Sequence, residues 1–272
     1  MVYWGTNTKY FLRNLEKIVG FKQVITEGKI FKTTFSALKG SIDKGSPVMA
    51  GALDMYYLHY YPEIYQHDHI PIHYVLVVGY DDEKRVVYVH DCSRAEIEEI
   101  PYAEFEKALD VKVPGMSNRN TTRIFKLPKA IPSELDLAKK GLALKIEQML
   151  RPPVSMFGIP AMRKLVKEII SWKDRECFEH LATYATTPPV LPRSYEHSDG
   201  MRFVQAQVLK TLGEKYKVNR WVEASGLFEK SGKLITDLCK ASMEENTRTC
   251  SEVVAQIANI EEEAYNLLAK RS

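Results

Sequence analysis

The residues best placed to do chemistry are His73 and Asp91, which two valine-rich runs join. The first run reads His73-Tyr-Val-Leu-Val-Val-Gly-Tyr80, and the second reads Val86-Val-Tyr-Val-His-Asp91. Between them lies the charged stretch Asp81-Asp-Glu-Lys-Arg85. Two β-rich runs around a short polar interruption predict a hairpin. A register symmetric about Asp82 sets His73 directly across from Asp91, where paired Cβ atoms are roughly 4.5–5.5 Å apart. A carboxylate beside an imidazole fixes its tautomer and stabilises its protonated form. That is the second half of a nucleophile–His–Asp relay.

The first half is harder to place. Cys92 follows Asp91 directly, but strand alternation sends it to the opposite face. There it reads as a small buried hydrophobe. Cys177, Cys239 and Cys250 fall in helical sequence and read as core. Without Cys-x-x-C spacing, four scattered cysteines suggest neither a zinc finger nor a disulfide framework, and they fit reduced thiols in a cytosol. His67-x-His69 with His73 can be drawn as a metal set, yet no Glu or Cys completes a ligand pattern, so no metal or other cofactor is expected. Asp54 either caps a loop entering the cleft or ends a strand. Tyr56, Tyr57, Tyr60, Tyr61 and Tyr65 either line a ligand pocket or cover a domain interface. Asp54, Tyr56 and Tyr57 are the pocket candidates.

These residues need elements to hold them. Phe11, Leu12, Leu15, Ile18 and Val19 recur at helical spacing, as do Phe31, Phe35, Leu38 and Ile42. Strands are predicted at Gln23–Thr26, Pro47–Leu53, the hairpin and Arg123–Leu127, with a helix at Tyr102–Leu109. Both faces of the hairpin are apolar, which predicts a strand in the middle of a covered sheet, with helices on at least one face. Residues 1–127 therefore read as an α+β domain, with Pro128–Pro132 as the boundary. Ser133-Glu-Leu-Asp136 resembles a capping box opening a helix to Leu150. Beyond it, helices are predicted at Met162–Trp172, Phe203–Leu212 and Leu227–Leu268, around a loop at Thr183–Gly200. Residues 133–272 read as an all-α bundle.

An apolar content of 45% and a charged content of 27% are those of an ordinary globular protein. A net charge of +3, with no basic run interleaved with aromatics, argues against nucleic acid. The longest strongly apolar run, Tyr74–Val78, is far short of the ~20 residues a membrane span needs. The opening Met1-Val-Tyr-Trp-Gly-Thr-Asn has no leader character, so a cytoplasmic location is expected.

Gly45-Ser-Pro-Val48, Asp54-Met-Tyr-Tyr-Leu58, the run His73–Asp81 and Val87-Tyr-Val-His-Asp91 together resemble the butirosin biosynthesis protein H N-terminal domain family. Phe157-Gly-Ile-Pro-Ala-Met-Arg163 and Glu168-Ile-Ile-Ser-Trp172 are similar to the domain of unknown function that commonly follows it. The resemblance implies a papain-like, C39-type fold and a cysteine-dependent acyltransferase. Such an enzyme moves an acyl or aminoacyl group from an acyl carrier protein thioester to the amine of a small molecule. His73 would be the general base and later acid, and Asp91 its orienting partner. The family's nucleophilic cysteine lies upstream, whereas the first cysteine of this sequence is Cys92. Two expectations follow: a chain that begins late, or a shortened member that works as a binding or scaffold module. A C39-like peptidase or amidohydrolase stands third. An apolar sheet face left by a missing first helix would need a cover, such as a second subunit of a homo-oligomer.

Overall fold

The computed structural model describes residues 8–92, 94–182 and 199–270. Contacts divide the chain into one unit that ends at Ile131 and another that begins at Pro132. The first unit is α+β. It runs α1 (Thr8–Val19), β1 (Lys22–Thr26), α2 (Phe31–Ile42), β2 (Val48–Leu53), β3 (His73–Asp81), β4 (Val86–His90), β5 (Glu98–Pro101), α3 (Tyr102–Leu109), β6 (Lys112–Val113), β7 (Ser117–Asn118) and β8 (Thr122–Lys126). Six strands form an open sheet in the order β1-β8-β2-β3-β4-β5, with antiparallel pairing throughout. The sequence periodicity did not reveal β5, because two glutamates precede its single core residue, the buried Ile100, and Pro101 follows it.

The hairpin differs from its symmetric expectation. Asp81 pairs with Val86, a bulge falls at Val78, and beyond it Val77 pairs with Val89 and Leu76 with His90. Continued outward, that register sets Asp91 against Val75 rather than His73. His73 and Asp91 are thus diagonal neighbours. They still share a face, because an even offset preserves side-chain parity, and diagonal positions remain within reach of long side chains.

That shared face is the core face. Val75, Val77, Val87 and Val89 are buried along it with Leu38 of α2 and Phe105 and Leu109 of α3. Each such aliphatic or aromatic side chain contributes about 1.5–3 kcal/mol through burial. The aromatic rings interlock, with Phe35 meeting Tyr102 edge-on at 4.7 Å between centroids. Tyr74, Leu76 and Val78, on the other face, are only half-buried. The expected helices on at least one face are α2 and α3, which cover the core face. At the far end of the hairpin, Asp82 accepts hydrogen bonds from Lys39 of α2 and from the Tyr102 hydroxyl. The turn is therefore tied to both helices.

Every element among the described residues of the second unit is a helix: α4 (Glu134–Leu150), α5 (Gly158–Ile169), α6 (Arg175–His180), α7 (Arg202–Lys215), α8 (Asn219–Met243) and α9 (Thr247–Ala269). Ser133 caps α4 by accepting from the Asp136 amide at 3.2 Å, as its sequence pattern suggests. The helix expected over Leu227–Leu268 is instead two. Asn246 breaks it and caps α9 through the Thr249 amide at 3.0 Å. The hydrophobic pattern continues across that break, which hides it. Of the loop expected at Thr183–Gly200, all but Asp199 and Gly200 lies outside the described residues. A buried ion pair joins α7 to α9, with Arg202 Nε 2.7 Å from Glu261 Oε1. Ser231 of α8 also donates to that oxygen at 2.6 Å. No helix among the described residues is long and apolar enough to cross a membrane.

Candidate active site

His73 opens β3 at the end where β2 bends away. Pairing between the two strands runs from Val48↔Val77 to Gly51↔Tyr74, and a bulge then brings Leu53 against His73. Gly51 is required here. Its φ is +144°, and a Cβ would stand 2.6 Å from the His73 carbonyl oxygen and 2.5 Å from the Tyr74 ring. Buried Arg123, on β8, donates to the Gly51 carbonyl at 3.3 Å and to that of Met116 at 3.0 Å, which steadies the bend.

The fold brings His73 and Asp91 together. His73 Nε2 lies 2.7 Å from Asp91 Oδ2, with side-chain exposures of 14% and 0%. The Tyr60 hydroxyl donates to the same oxygen at 3.0 Å. The Tyr61 ring meets the imidazole edge-on at 5.6 Å. Burial by itself would raise the Asp91 carboxyl. Hydrogen bonding and charge from His73, with help from Tyr60 and Cys92, nevertheless hold it below the ordinary carboxylate range. Burial and the Asp91 charge push the Tyr60 phenol far up, so it remains a donor. With Asp91 ionised, Nε2 carries the proton of the short bond, so that in the neutral ring the lone pair is on Nδ1. Asp91 Oδ1 is buried and has no hydrogen-bond partner of normal geometry among the described residues.

Cys92 stands where the sequence did not put it. Strand β4 ends at His90, so alternation no longer governs position 92. The residue is exposed. Its sulfur, an imidazole nitrogen of His73 and a carboxylate oxygen of Asp91 all lie within 4.8 Å of one another. Burial first, and then Asp91, raise the thiol, so little thiolate is present near neutral pH.

The pocket candidates form a different constellation. Asp54 Oδ1 accepts from the amides of Tyr56 at 3.1 Å and Ile70 at 3.0 Å. Its Oδ2 lies 2.6 Å from His69 Nδ1. The Tyr56 ring stacks on His69 at 4.2 Å, and Tyr57 meets Tyr56 edge-on at 5.0 Å. Asp54 thus caps the short 3-10 turn Met55–Tyr57 and ties it to Ile70. The tyrosines that touch the His73–Asp91 pair are Tyr60 and Tyr61. Nothing in their spacing singles them out from the other tyrosines of the run. Arg94 supports both, donating to the Tyr60 carbonyl and lying 4.7 Å over the Tyr61 ring.

Comparison with known families fits this layout. Residues 1–92, which hold both His–Asp pairs, match the family described as Butirosin biosynthesis protein H, N-terminal. Residues 103–268 match the Domain of unknown function (DUF4872). The chain belongs to the DUF4872 family. This DUF4872 chain has no match among curated proteins. Its DUF4872 segment begins at residue 103, within α3, so the family boundary precedes the structural one at Ile131.

Proposed function

We propose that the first unit catalyses acyl transfer from a carrier-bound thioester to an amine, with His73 as general base and then general acid. The carrying observation is the 2.7 Å bond from His73 Nε2 to an Asp91 carboxylate with no exposed surface. That bond leaves the Nδ1 lone pair for the proton of the incoming amine. As the amine nitrogen bonds to the thioester carbonyl, His73 takes its proton. When the tetrahedral adduct expels sulfur, His73 returns that proton to the leaving thiolate. The products are an amide and a free carrier thiol. Asp91 acts as a positioning residue, keeping the ring oriented and balancing the imidazolium formed in between.

A direct displacement suits this site better than an acyl-enzyme on Cys92, the thiol beside His73, which burial and Asp91 keep protonated. The match to the butirosin biosynthesis protein H N-terminal family supports the choice of reaction, and the papain-like fold belongs to the same reading. Four unpaired cysteines support a reducing, cytoplasmic setting.

The test supplies an acyl-carrier thioester and an aminoglycoside-type amine, and follows both thiol release and amide formation. His73→Ala should lower turnover about 10²–10⁴-fold. Cys92→Ser should leave the rate within a few-fold. Turnover that survives His73→Ala would remove the proposal. Binding of carrier or amine without turnover by the wild type would establish the binding-module reading instead. Thiol release without amide would indicate hydrolysis.

A further inference from the structure

We infer that His73, Asp91 and Cys92 form a binding site for a divalent transition metal of the zinc class. The donor atoms are an imidazole nitrogen, a carboxylate oxygen and a thiol sulfur, all within 4.8 Å of one another. Zinc holds such ligands at about 2.0–2.3 Å, which separates them by roughly 3.3–3.7 Å. Small rotamer shifts are therefore enough. Asp91 Oδ1 supplies an independent observation. It is a buried acceptor with no partner of normal geometry among the described residues, and a cation would satisfy it.

The chemistry of the set selects the metal. A thiolate and an imidazole favour zinc, cobalt or copper over magnesium and calcium, which prefer oxygen donors throughout. On binding, the Cys92 thiol loses its proton to solvent. Nε2 exchanges its hydrogen bond for the metal, and the ring proton moves to Nδ1. Carboxylate and thiolate together neutralise the ion's two charges. Tyr60, which already donates to Asp91 Oδ2 at 3.0 Å, becomes the outer support of that ligand. Exposed Cys92 opens the site to solvent, so a water or a substrate atom can take the fourth position.

The set departs from the histidines that sequence spacing suggested, and from the expectation of no metal. His69 bonds to Asp54 instead. A corollary rests on the proposed function, although binding itself does not. Moving the ring proton to Nδ1 removes the lone pair that proton transfer needs. The metal-loaded and transfer-competent forms are then mutually exclusive.

The decisive experiment titrates the full chain, freed of metal by a chelator, with cobalt(II) alone and then with zinc(II) in competition. One cobalt per chain should bind, with a near-ultraviolet thiolate-to-cobalt charge-transfer band that zinc abolishes. Cys92→Ser should remove the band and weaken binding by about 100-fold or more, and His73→Gln should weaken it similarly. Cys177→Ser and His69→Ala should change neither. A wild-type chain that binds no cobalt or zinc, or a band that persists in Cys92→Ser, would overturn the site. Circular dichroism of each variant separates lost ligands from lost fold. No transfer activity is read, so failure of the acyl-transfer proposal leaves this result standing.

Discussion

Two His–Asp pairs sit in the same unit at nearly equal distances, 2.6 Å for His69–Asp54 and 2.7 Å for His73–Asp91. Their surroundings divide the work in opposite ways. Asp54 spends one oxygen on two backbone amides and the other on a histidine that is 63% exposed. Its carboxylate organises a loop, and the imidazole lies over it as a stacked lid. Asp91 is bonded by two side chains, Tyr60 and His73, and keeps an oxygen in reserve. Its histidine is mostly buried and has an exposed thiol close by. A short His–Asp distance therefore does not identify a reactive site. What distinguishes the pairs is whether the carboxylate is already committed to the backbone.

The sharpest way to break this comparison is kinetic. His73→Ala should cost about 10²–10⁴-fold in thioester turnover, whereas His69→Ala should change it less than a few-fold. Equal losses would mean that the two pairs act as one site.

The next largest effect is on stability, and it runs the other way. Asp54→Ala strands the amides of Tyr56 and Ile70 in a partly buried turn. Leaving such donors unsatisfied should destabilise the first unit by about 2–4 kcal/mol, read from its urea midpoint. His69→Ala removes only an exposed ring and should cost under about 1 kcal/mol. Should Asp54→Ala prove neutral while abolishing turnover, the loop-organising role assigned to Asp54 would be wrong.

Gly51 tests whether strand geometry places His73. Gly51→Ala puts a Cβ into the His73 carbonyl and the Tyr74 ring. Overpacking of this kind should cost about 1–3 kcal/mol and displace the start of β3. Turnover should fall with it, while the His69–Asp54 loop, tied by its own hydrogen bonds, should be unaffected in local hydrogen exchange. Retained turnover with full stability would show that the bend tolerates a side chain.

Most of the first unit could be read from its sequence, because apolar periodicity survives in α1, α2, α3 and the valine hairpin. The His73–Asp91 pairing was legible for a robust reason. Only the parity of the offset decides which face a residue takes, so an error of register left the two side chains on the same side. Cys92 was misread because strand alternation was extended past the end of β4, where nothing enforces it. Tyr60 and Tyr61 could not be separated from their neighbours, since a run of tyrosines in a loop has no period that says which ring faces inward. In the second unit the break at Asn246 was lost for the opposite reason: the hydrophobic pattern of α8 resumes in α9 almost in phase, and only the capping geometry marks the boundary.

The smallest effect, a pH dependence, completes the contrast. The Asp91 carboxyl is held below its ordinary value: burial opposes this, and hydrogen bonding and charge from His73 outweigh it. A carboxylate depressed in the folded state adds stability that is fully present above its unfolded pKa and is lost as pH falls through the lower folded value. The window therefore lies below the usual carboxylate range, on the acid side. Asp91→Asn removes the titrating group. Relative to wild type, it should lose stability near neutral pH and regain parity as the solution becomes strongly acid. Urea midpoints measured from about pH 7 down into strongly acid solution, to about pH 1.5, should converge for the two proteins. Parallel curves would mean that Asp91 is no better stabilised folded than unfolded, and the electrostatic hold of His73 on it would have to be abandoned.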